Sequence, residues 1–493
     1  MIFKSKALMP LIFIMGLLLG AFFFSILNTK NDIGYRYYFK VVGDVENPIH
    51  VRNMEDHDTV EINYDDKKTE GIPLSELINE VKPLSDYSTI LFVGTDGLTS
   101  EINLEGIEES YINFSEEHGW NAMNFRHPIS SNIKHLKEIV IVSSDEYNEF
   151  GVNLFTEYEN IKNITCGQLY KNGVYEINFE GTSKVEIKDT VNDVTVYTTE
   201  KRMPLDNVFS ERNDEDIFVV FGKDGRQVIE SATGYLKMNE NTISYVSQSK
   251  NTEVEEIVGI YCGRLLPGIT DTFYDTDYYL KNGRKVMVFL LDGLSYEQYE
   301  YAKEEQHMPY MGSLETAAKA FSAYKPVTNT GFTTMITGKT PDVHGVHDRS
   351  IRDYNAVSIF GKALEYQKNA VLIEGDIKIL NTEIQPILNI DANKDGDIDD
   401  EVFQAALSKA YEIDLCFIHF HGIDDRGHTF GPMSEEVNQY ISRIDGYVKT
   451  LSNNWEGIII ITADHGMHKT EEGGRHGICR YEDMIVPYIV IQK

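Results

Sequence analysis

The chain has 493 residues, too long for a single ordinary core, and its 42% hydrophobic and 11% aromatic content excludes a wholly disordered protein. With 78 acidic against 45 basic residues the formal charge is −33, which excludes nucleic acid as a general partner because no excess of cations is available to displace counterions. An acidic protein still binds phosphate where metal ions reverse the sign of the local field.

At the N-terminus, Lys4 and Lys6 precede an uncharged apolar run from Ala7 to Leu27, long enough to cross a bilayer as a helix. A cleaved signal peptide is the competing reading, but its apolar core is usually shorter, and no clear small-x-small site follows Phe24. The expectation is a signal anchor with its juxtamembrane segment over 1–34, the lysines inside and the body outside. That makes a single-pass protein of the cell membrane with an extracellular body; a secreted protein is the alternative.

The next part reads as a degenerate duplication: a strand-rich domain over 35–146 and a second over 147–266. "VEINYDDKKTEGIPLSELI" from Val60 and "STILFVGTDGLTSEI" from Ser88 are echoed by "VEIKDTVNDVTVYTTEKRMPLDNVF" from Val185 and "DIFVVFGKDGRQVIE" from Asp216. Pro-Leu pairs at Pro73 and Pro204 and Gly-x-Asp-Gly turns at Gly94 and Gly222 recur at a domain-sized interval. On "GDVENPIHV", "GIPLSELI" and "VGTDGLTSEI" the first copy resembles the oxidoreductase molybdopterin-binding (sulfite-oxidase-like) domain. That family's pterin chemistry needs a cysteine thiolate, and no Cys precedes Cys166, so the expected role is a binding or spacer module for a cell-surface partner. Cys166, Cys262, Cys416 and Cys479 make no zinc-knuckle spacing. An exported location permits a disulfide between the first two, and buried free thiols are the equal alternative.

From Lys285 the pattern changes. "KVMVFLL", "AVLIE", "DLCFIHF", "GIIIIT" and "VPYIVI" are continuous apolar runs separated by helix-length segments such as Glu401 to Tyr411 and Ser434 to Leu451. Such alternation predicts an α/β domain over 267–493, a mostly parallel sheet with helices on both faces, preceded by the strand-rich α+β repeats. Functional residues are expected just beyond the carboxyl ends of its strands.

Polar residues collect there. Asp292 follows the first strand, Asp464 and His465 follow "GIIIIT", Asp424 and His428 lie in "HFHGIDDRGHTFGP", and His476 sits in "GGRHG". Mixed carboxylate and imidazole donors suit zinc or a similar first-row ion. Each has an ordinary reading, Asp292 as a turn residue before Gly293 and His476 as a surface histidine, but those readings would all have to hold together. Thr328, in "KPVTNTGFTTMITGKTPDVHGV", opens a predicted helix ending near Gly338, where amides and the macrodipole favour an anion. A threonine hydroxyl needs a base or a metal to become a nucleophile.

The order "LLDG", "TNTGFTTMITGKTPDVHG", "DDRGHTFGP", "TADHGM", "RHG" resembles the alkaline phosphatase superfamily, nearest its nucleotide pyrophosphatase/phosphodiesterase and phosphonoacetate hydrolase branch. The resemblance implies two divalent metal ions, zinc being expected, and a phosphoester or phosphonate substrate. One ion would be held by Asp424, His428 and His476, the other by Asp292, Asp464, His465 and Thr328, with Thr328 forming a phosphothreonine. Relatives place an Asn three positions after the nucleophile to hold a phosphoryl oxygen. Gly331 stands there in this chain, so Asn329 or backbone amides are expected to substitute. His344 reads as structural. "NIDANKDGDIDDEVF" has Asp391, Asn393, Asp395 and Gly396 at calcium-loop spacing but Val402 at the twelfth position. Its plainer reading is an acidic turn into a helix capped by Asp399.

The leading expectation is an exported, membrane-anchored phosphodiesterase or phosphatase. The alternatives are a transferase moving a phosphoryl-linked group, such as phosphoethanolamine, onto a cell-surface acceptor, and a non-catalytic surface-binding protein.

Overall fold

The computed structural model describes residues 37–493 apart from 65, 66, 87, 105, 146, 188, 189, 211, 214, 250, 251, 315, 316 and 410–412. The expected anchor at Ala7 to Leu27 lies outside the described residues. Among those described, no helix is long and apolar enough to cross a membrane. The chain divides into two compact units, one comprising 37–150, 165–203 and 237–243, the other 151–164, 204–236 and 244–493. The second strand-rich stretch, 147–266, is thus shared between the two units.

In the first unit, strands Phe39–Gly43 and Leu136–Ser143 run parallel at the centre of a five-stranded sheet. Ser88–Gly94 and Thr99–Asn103 extend it antiparallel on one side, and Ile49–Val51 on the other. Helix Leu74–Val81 buries Leu74, Leu77, Ile78 and Val81, the i, i+3, i+4, i+7 stripe of an amphipathic helix. The stripe joins Phe39, Ile90, Phe92, Trp120 and Ile139 in one core.

The second unit holds a five-stranded sheet of the same plan. Val152–Phe155 and Ile257–Gly263 are parallel, Ile217–Gly222 is antiparallel to the latter, and Gln227–Glu230 and Asn160–Ile164 close the edges. The two Gly-x-Asp-Gly turns match bond for bond. Gly94 N–H donates to Leu98 O and Leu98 N–H to Asp96 Oδ1; Gly222 N–H donates to Arg226 O and Arg226 N–H to Asp224 Oδ1. Phe221 and Tyr261 of this sheet pack edge-on against Phe321, at 5.8 and 4.8 Å between ring centroids. All four cysteines are buried and free.

The second unit also carries a seven-stranded sheet in the order Ala318–Phe321, Ile485–Gln492, Ile458–Thr462, Val286–Leu291, Leu415–Phe420, Ala370–Glu374, Ile387–Leu388. Val286 is in parallel register with both Ile458 and Leu415. Every residue of Val286–Leu291 is buried, and because successive side chains point to opposite faces, both faces are covered. Helix Glu435–Asn453 contributes Val437, Ile441, Ile444 and Val448, and helix Thr328–Thr337 contributes Phe332, Met335 and Ile336 to the same core. The last strand runs antiparallel to Ile458–Thr462. The chain returns to it through two short strands and the helix Tyr481–Met484, with no long crossover helix of the kind a parallel neighbour needs.

One sequence expectation is corrected. Asp399 is the first residue of helix Asp399–Lys409, not its cap; Asp397 Oδ1 accepts the Asp399 N–H. The Asp399 carboxylate instead accepts the His421 and Gly422 N–H groups, each at 2.9 Å, and the Tyr440 hydroxyl at 2.8 Å. It thereby satisfies amides at the start of helix Gly422–Phe430 that have no partner within the helix.

Candidate metal centre and phosphoryl site

Asp292 leaves the strand Val286–Leu291 at its carboxyl end and is 2% exposed. Gly293 follows at φ +76, and a side chain there would come within 2.9 Å of Asp424 Cβ, so glycine permits the two segments to meet. Asp424 and His428 lie one turn apart on helix Gly422–Phe430, as i and i+4 on one face. Asp464 and His465 follow Ile458–Thr462 and are fully buried, and His476 follows the short strand Gly473–Arg475.

Thr328 is the first residue of helix Thr328–Thr337, whose N-cap, Val327, offers no side-chain acceptor. The hydroxyls of Thr333, Thr334 and Thr337 donate to carbonyls one turn back. Thr328 Oγ1 faces the centre instead, 3.5 Å from His465 Nε2.

The donor atoms draw together in overlapping groups: Asp424 with His428 and His476, Asp292 and Asp424 with His465, and Asp292 with His419 and His421. His465 Nε2 is 3.4 Å from Asp292 Oδ1 and 3.5 Å from Asp464 Oδ2; His476 Nε2 is 3.5 Å from Asp424 Oδ1, and His428 Nε2 is 3.3 Å from Asp424 Oδ2. Ligands about 2.1 Å from one tetrahedral ion stand roughly 3.4 Å apart, so these spacings fit. Each of the three imidazoles presents its Nδ1 to a backbone carbonyl: His428 to Gly474 O, His465 to Gly466 O, His476 to Pro326 O, at 3.0, 3.0 and 2.8 Å. A carbonyl only accepts, so Nδ1 carries the proton and Nε2 turns a lone pair to the centre. Asp292 Oδ1, Asp424 Oδ1, Asp464 Oδ2 and His428 Nε2 are buried with no hydrogen-bond partner, which a bound cation would supply.

Asp424 raises the pKa of the His428 imidazole, and at His465 burial is outweighed by the charges of Asp464, Asp292 and Asp424, which raise that ring too. Burial, and then the charge of Asp292, push the Asp464 carboxyl up to about 7. Burial, and then His465, bring the His476 imidazole down to about 3, a neutral ring. Burial also opposes the charged form of Asp292, but His419, His421 and His465 prevail and hold it well below the usual carboxylate range.

Two contacts of Asp292 were not assigned from sequence. His419 Nε2 and His421 Nδ1 reach Asp292 Oδ2 at 3.1 and 3.2 Å. Beyond His419 lies Glu374, fully buried, its Oε1 3.8 Å from His419 Nδ1 and neither oxygen hydrogen-bonded. A polar residue inside an otherwise apolar strand is the signal that marks both, His419 in "LCFIHF" and Glu374 ending "AVLIE". A cavity of about 490 Å³ opens beside His421, lined by Asp399, Asp425 and Arg426 among others.

Asn329 does not face the centre with its amide; Nδ2 donates to Ile351 O at 2.9 Å and Ile379 O at 3.4 Å. Gly331 cannot be replaced by a larger residue without movement, since a Cβ there would lie 2.4 Å from Asp464 O. His344 is buried between Val346 N–H and the Thr334 hydroxyl. The acidic loop reaches this cluster through Asp399, which accepts the His421 and Gly422 N–H groups. Asp391 accepts the Lys394, Asp395 and Gly396 N–H groups, Asn393 Oδ1 accepts the Asp395 N–H, and Asp395 accepts the Asp397 N–H. Among the described residues, the Asp and His groups whose donor atoms converge closely enough for a metal all belong to the centre around Asp292 and Asp424.

Residues 374–486 match the type I phosphodiesterase / nucleotide pyrophosphatase family. The match contains Asp424, His428, Asp464, His465 and His476, while Asp292 and Thr328 precede it. The chain is similar to GPI ethanolamine phosphate transferase 2, catalytic subunit, of Homo sapiens, with 24% identity over 235 residues, 42% of this chain and 23% of that protein. Among solved structures it is similar to phosphonoacetate hydrolase from Sinorhizobium meliloti bound to phosphonoformate (17% identity, 37% of this chain and 57% of that one, TM-score 0.32). It is also similar to murine ectonucleotide pyrophosphatase / phosphodiesterase 5 in complex with AMP (20% identity, 38% and 59%, TM-score 0.32). The chain spans under a quarter of the curated relative's length and under two thirds of these solved chains.

Proposed function

We propose that this chain is a metal-dependent phosphoester hydrolase, a phosphodiesterase or phosphatase, that works through Thr328. The observation that carries this reading is the set of three imidazoles, His428, His465 and His476, each with Nδ1 spent on a carbonyl and Nε2 aimed among unpartnered carboxylate oxygens beside the Thr328 hydroxyl. Asp424, His428 and His476 would hold one divalent ion, and Asp292, Asp464, His465 and Thr328 the other; the donor set favours zinc. When bound, such ions supply positive charge to phosphoryl oxygens and lower the pKa of a coordinated hydroxyl or water.

Thr328 Oγ1 gives up its proton and attacks phosphorus in line. The bond to the leaving group breaks, an alcohol oxygen in a phosphoester or a carbon in a phosphonate, which takes up a proton, and the phosphoryl group rests on Thr328 until water releases it. The uncapped helix start behind Thr328 turns its amides to the phosphoryl group. The substrate is a phosphoester or phosphonate. The apolar run Ala7–Leu27, preceded by Lys4 and Lys6, would hold the body outside the cell membrane.

A second reading, transfer of the phosphoryl-linked group to an alcohol acceptor, is favoured by the similarity to an ethanolamine phosphate transferase. The same covalent intermediate serves both, since water and an alcohol differ only as acceptor.

The test assays the purified full-length chain on aryl phosphate mono- and diesters with zinc or manganese, beside Thr328→Ala. Equal activity in the two proteins would sink the nucleophile assignment. Turnover that appears only with an added alcohol would select the transferase reading.

A further inference from the structure

A cation that the metal assignment leaves unused stands at the mouth of the centre. One terminal guanidinium nitrogen of Arg349 lies 2.6 Å from His476 Nε2 and 4.0 Å from Asp424 Oδ2, on a side chain about half exposed. We propose that Arg349 is a substrate-binding residue that grips the non-bridging oxygens of the phosphoryl group at this centre, and that Asn329 positions it. The inference rests on the phosphoester reading above and names a residue that reading does not use.

Three observations lead there. The first is the chemistry of the contact. His476 has one lone pair on Nε2, because Nδ1 donates to Pro326 O. An ion about 2.0–2.1 Å from that lone pair and a guanidinium N–H on it exclude each other. Once the lone pair is taken, Arg349 keeps all its donors, in a planar fork that matches two phosphoryl oxygens.

The second concerns what else could grip the phosphoryl group. Gly331, one turn into the nucleophile helix, has no side chain and no room for one against the Asp464 backbone. Asn329 has its amide engaged by Ile351 O and Ile379 O. The helix start offers main-chain N–H groups but no side-chain cation.

The third is the anchoring of the Arg349 segment. Asn329 Nδ2 donates to Ile351 O, two residues beyond Arg349, so the residue next to Thr328 is tied directly to the segment that carries the guanidinium. Ser350 N–H donates to Asp348 Oδ1, Val346 N–H to His344 Nδ1, and Asn381 N–H to Arg352 O. Held at both ends, the segment presents one long, half-exposed side chain over a fixed point. Asn329 is therefore a positioning residue.

Isothermal titration of the metal-loaded full-length chain with inorganic phosphate tests this, with metal content measured by elemental analysis on each protein. Arg349→Ala is expected to weaken phosphate binding about 10- to 100-fold, the usual range for losing a charge-assisted pair, with metal content unchanged. Arg349→Lys should recover part of that loss. Asn329→Ala should weaken phosphate binding in the Arg349 protein and have little further effect in Arg349→Ala. Unchanged phosphate affinity in Arg349→Ala would overturn the proposal while leaving the phosphoester reading standing. Loss of metal from Arg349→Ala would overturn it as well, by making Arg349 a support for His476. A wild-type chain that carries its metals, binds no phosphate and turns over no ester would bring down both readings.

Discussion

Thr328 Oγ1 and His465 Nε2 lie 3.5 Å apart although 137 residues separate them in the chain. The contact joins the start of helix Thr328–Thr337 to the end of a central strand, and Asp292 Oδ1 and Asp464 Oδ2 stand within 3.5 Å of the same nitrogen. A hydroxyl so placed shares its neighbourhood with the donors that would hold an ion. The hydroxyls of Thr333, Thr334 and Thr337 are occupied by their own helix.

Thr328→Ala is accordingly expected to lose ester turnover by at least about a thousand-fold, whereas Thr328→Ser should retain a measurable fraction. Acid quenching during turnover followed by mass spectrometry should find phosphate on Thr328. Its absence from a burst-phase sample would remove the covalent step.

The Asp464 carboxyl, pushed up to about 7, sets a pH dependence. Its folded value lies above the unfolded value of about 4, so its contribution to stability is complete below pH 4 and is lost as the pH rises through 7. A divalent ion must displace a proton from Asp464 below pH 7 and need not above it. The rise in Tm on adding zinc to chelator-treated protein should therefore be larger at pH 8 than at pH 5. Equal rises would take Asp464 out of the ligand set.

The row Glu374, His419, Asp292 carries a buried imidazole between two buried carboxylates, which push the His419 ring up to about 10 although burial favours its neutral form. His419→Gln should lower metal affinity about 10- to 100-fold, as loss of a partner behind a ligand does. It should also destabilise the protein by about 3–5 kcal/mol by leaving Glu374 unpaired. Adding Glu374→Gln should restore part of that stability. Denaturant unfolding of the single and double variants checks it, and simple additivity would show that the two residues do not act together.

At Gly331 the constraint is steric. Gly331→Ala and Gly331→Asn should each cost about 1–3 kcal/mol, because the new Cβ meets the Asp464 backbone and pushes that segment away. Thermal unfolding checks this. A Gly331→Asn protein as stable as wild type would mean that the helix and the Asp464 turn can separate.

The sequence by itself determined the elements and the reactive residue types. Continuous apolar runs from Lys285 onward became the central strands because a strand buried on both faces is apolar at nearly every position, His419 being an exception. Polar residues collect just past their ends, where functional residues of such sheets are found. The recurrence of Gly94 and Gly222 likewise foretold two turns with the same hydrogen bonds, since turn geometry is local.

Tertiary structure decided what depends on contacts between distant segments. Asn329 read as a substrate ligand from its place beside Thr328, yet its amide is spent on Ile351 and Ile379, which only the folded chain brings near. Arg349, Glu374 and His419 lie outside the motifs' ligand positions, and their meaning comes from what they face. Asp399 looked like the cap of its own helix and instead receives the amides that open the Asp424 helix. Periodicity and turn chemistry act over a few residues and are written in the sequence. Hydrogen bonds and charge contacts join atoms without regard to their separation along the chain, so only the fold assigns their partners.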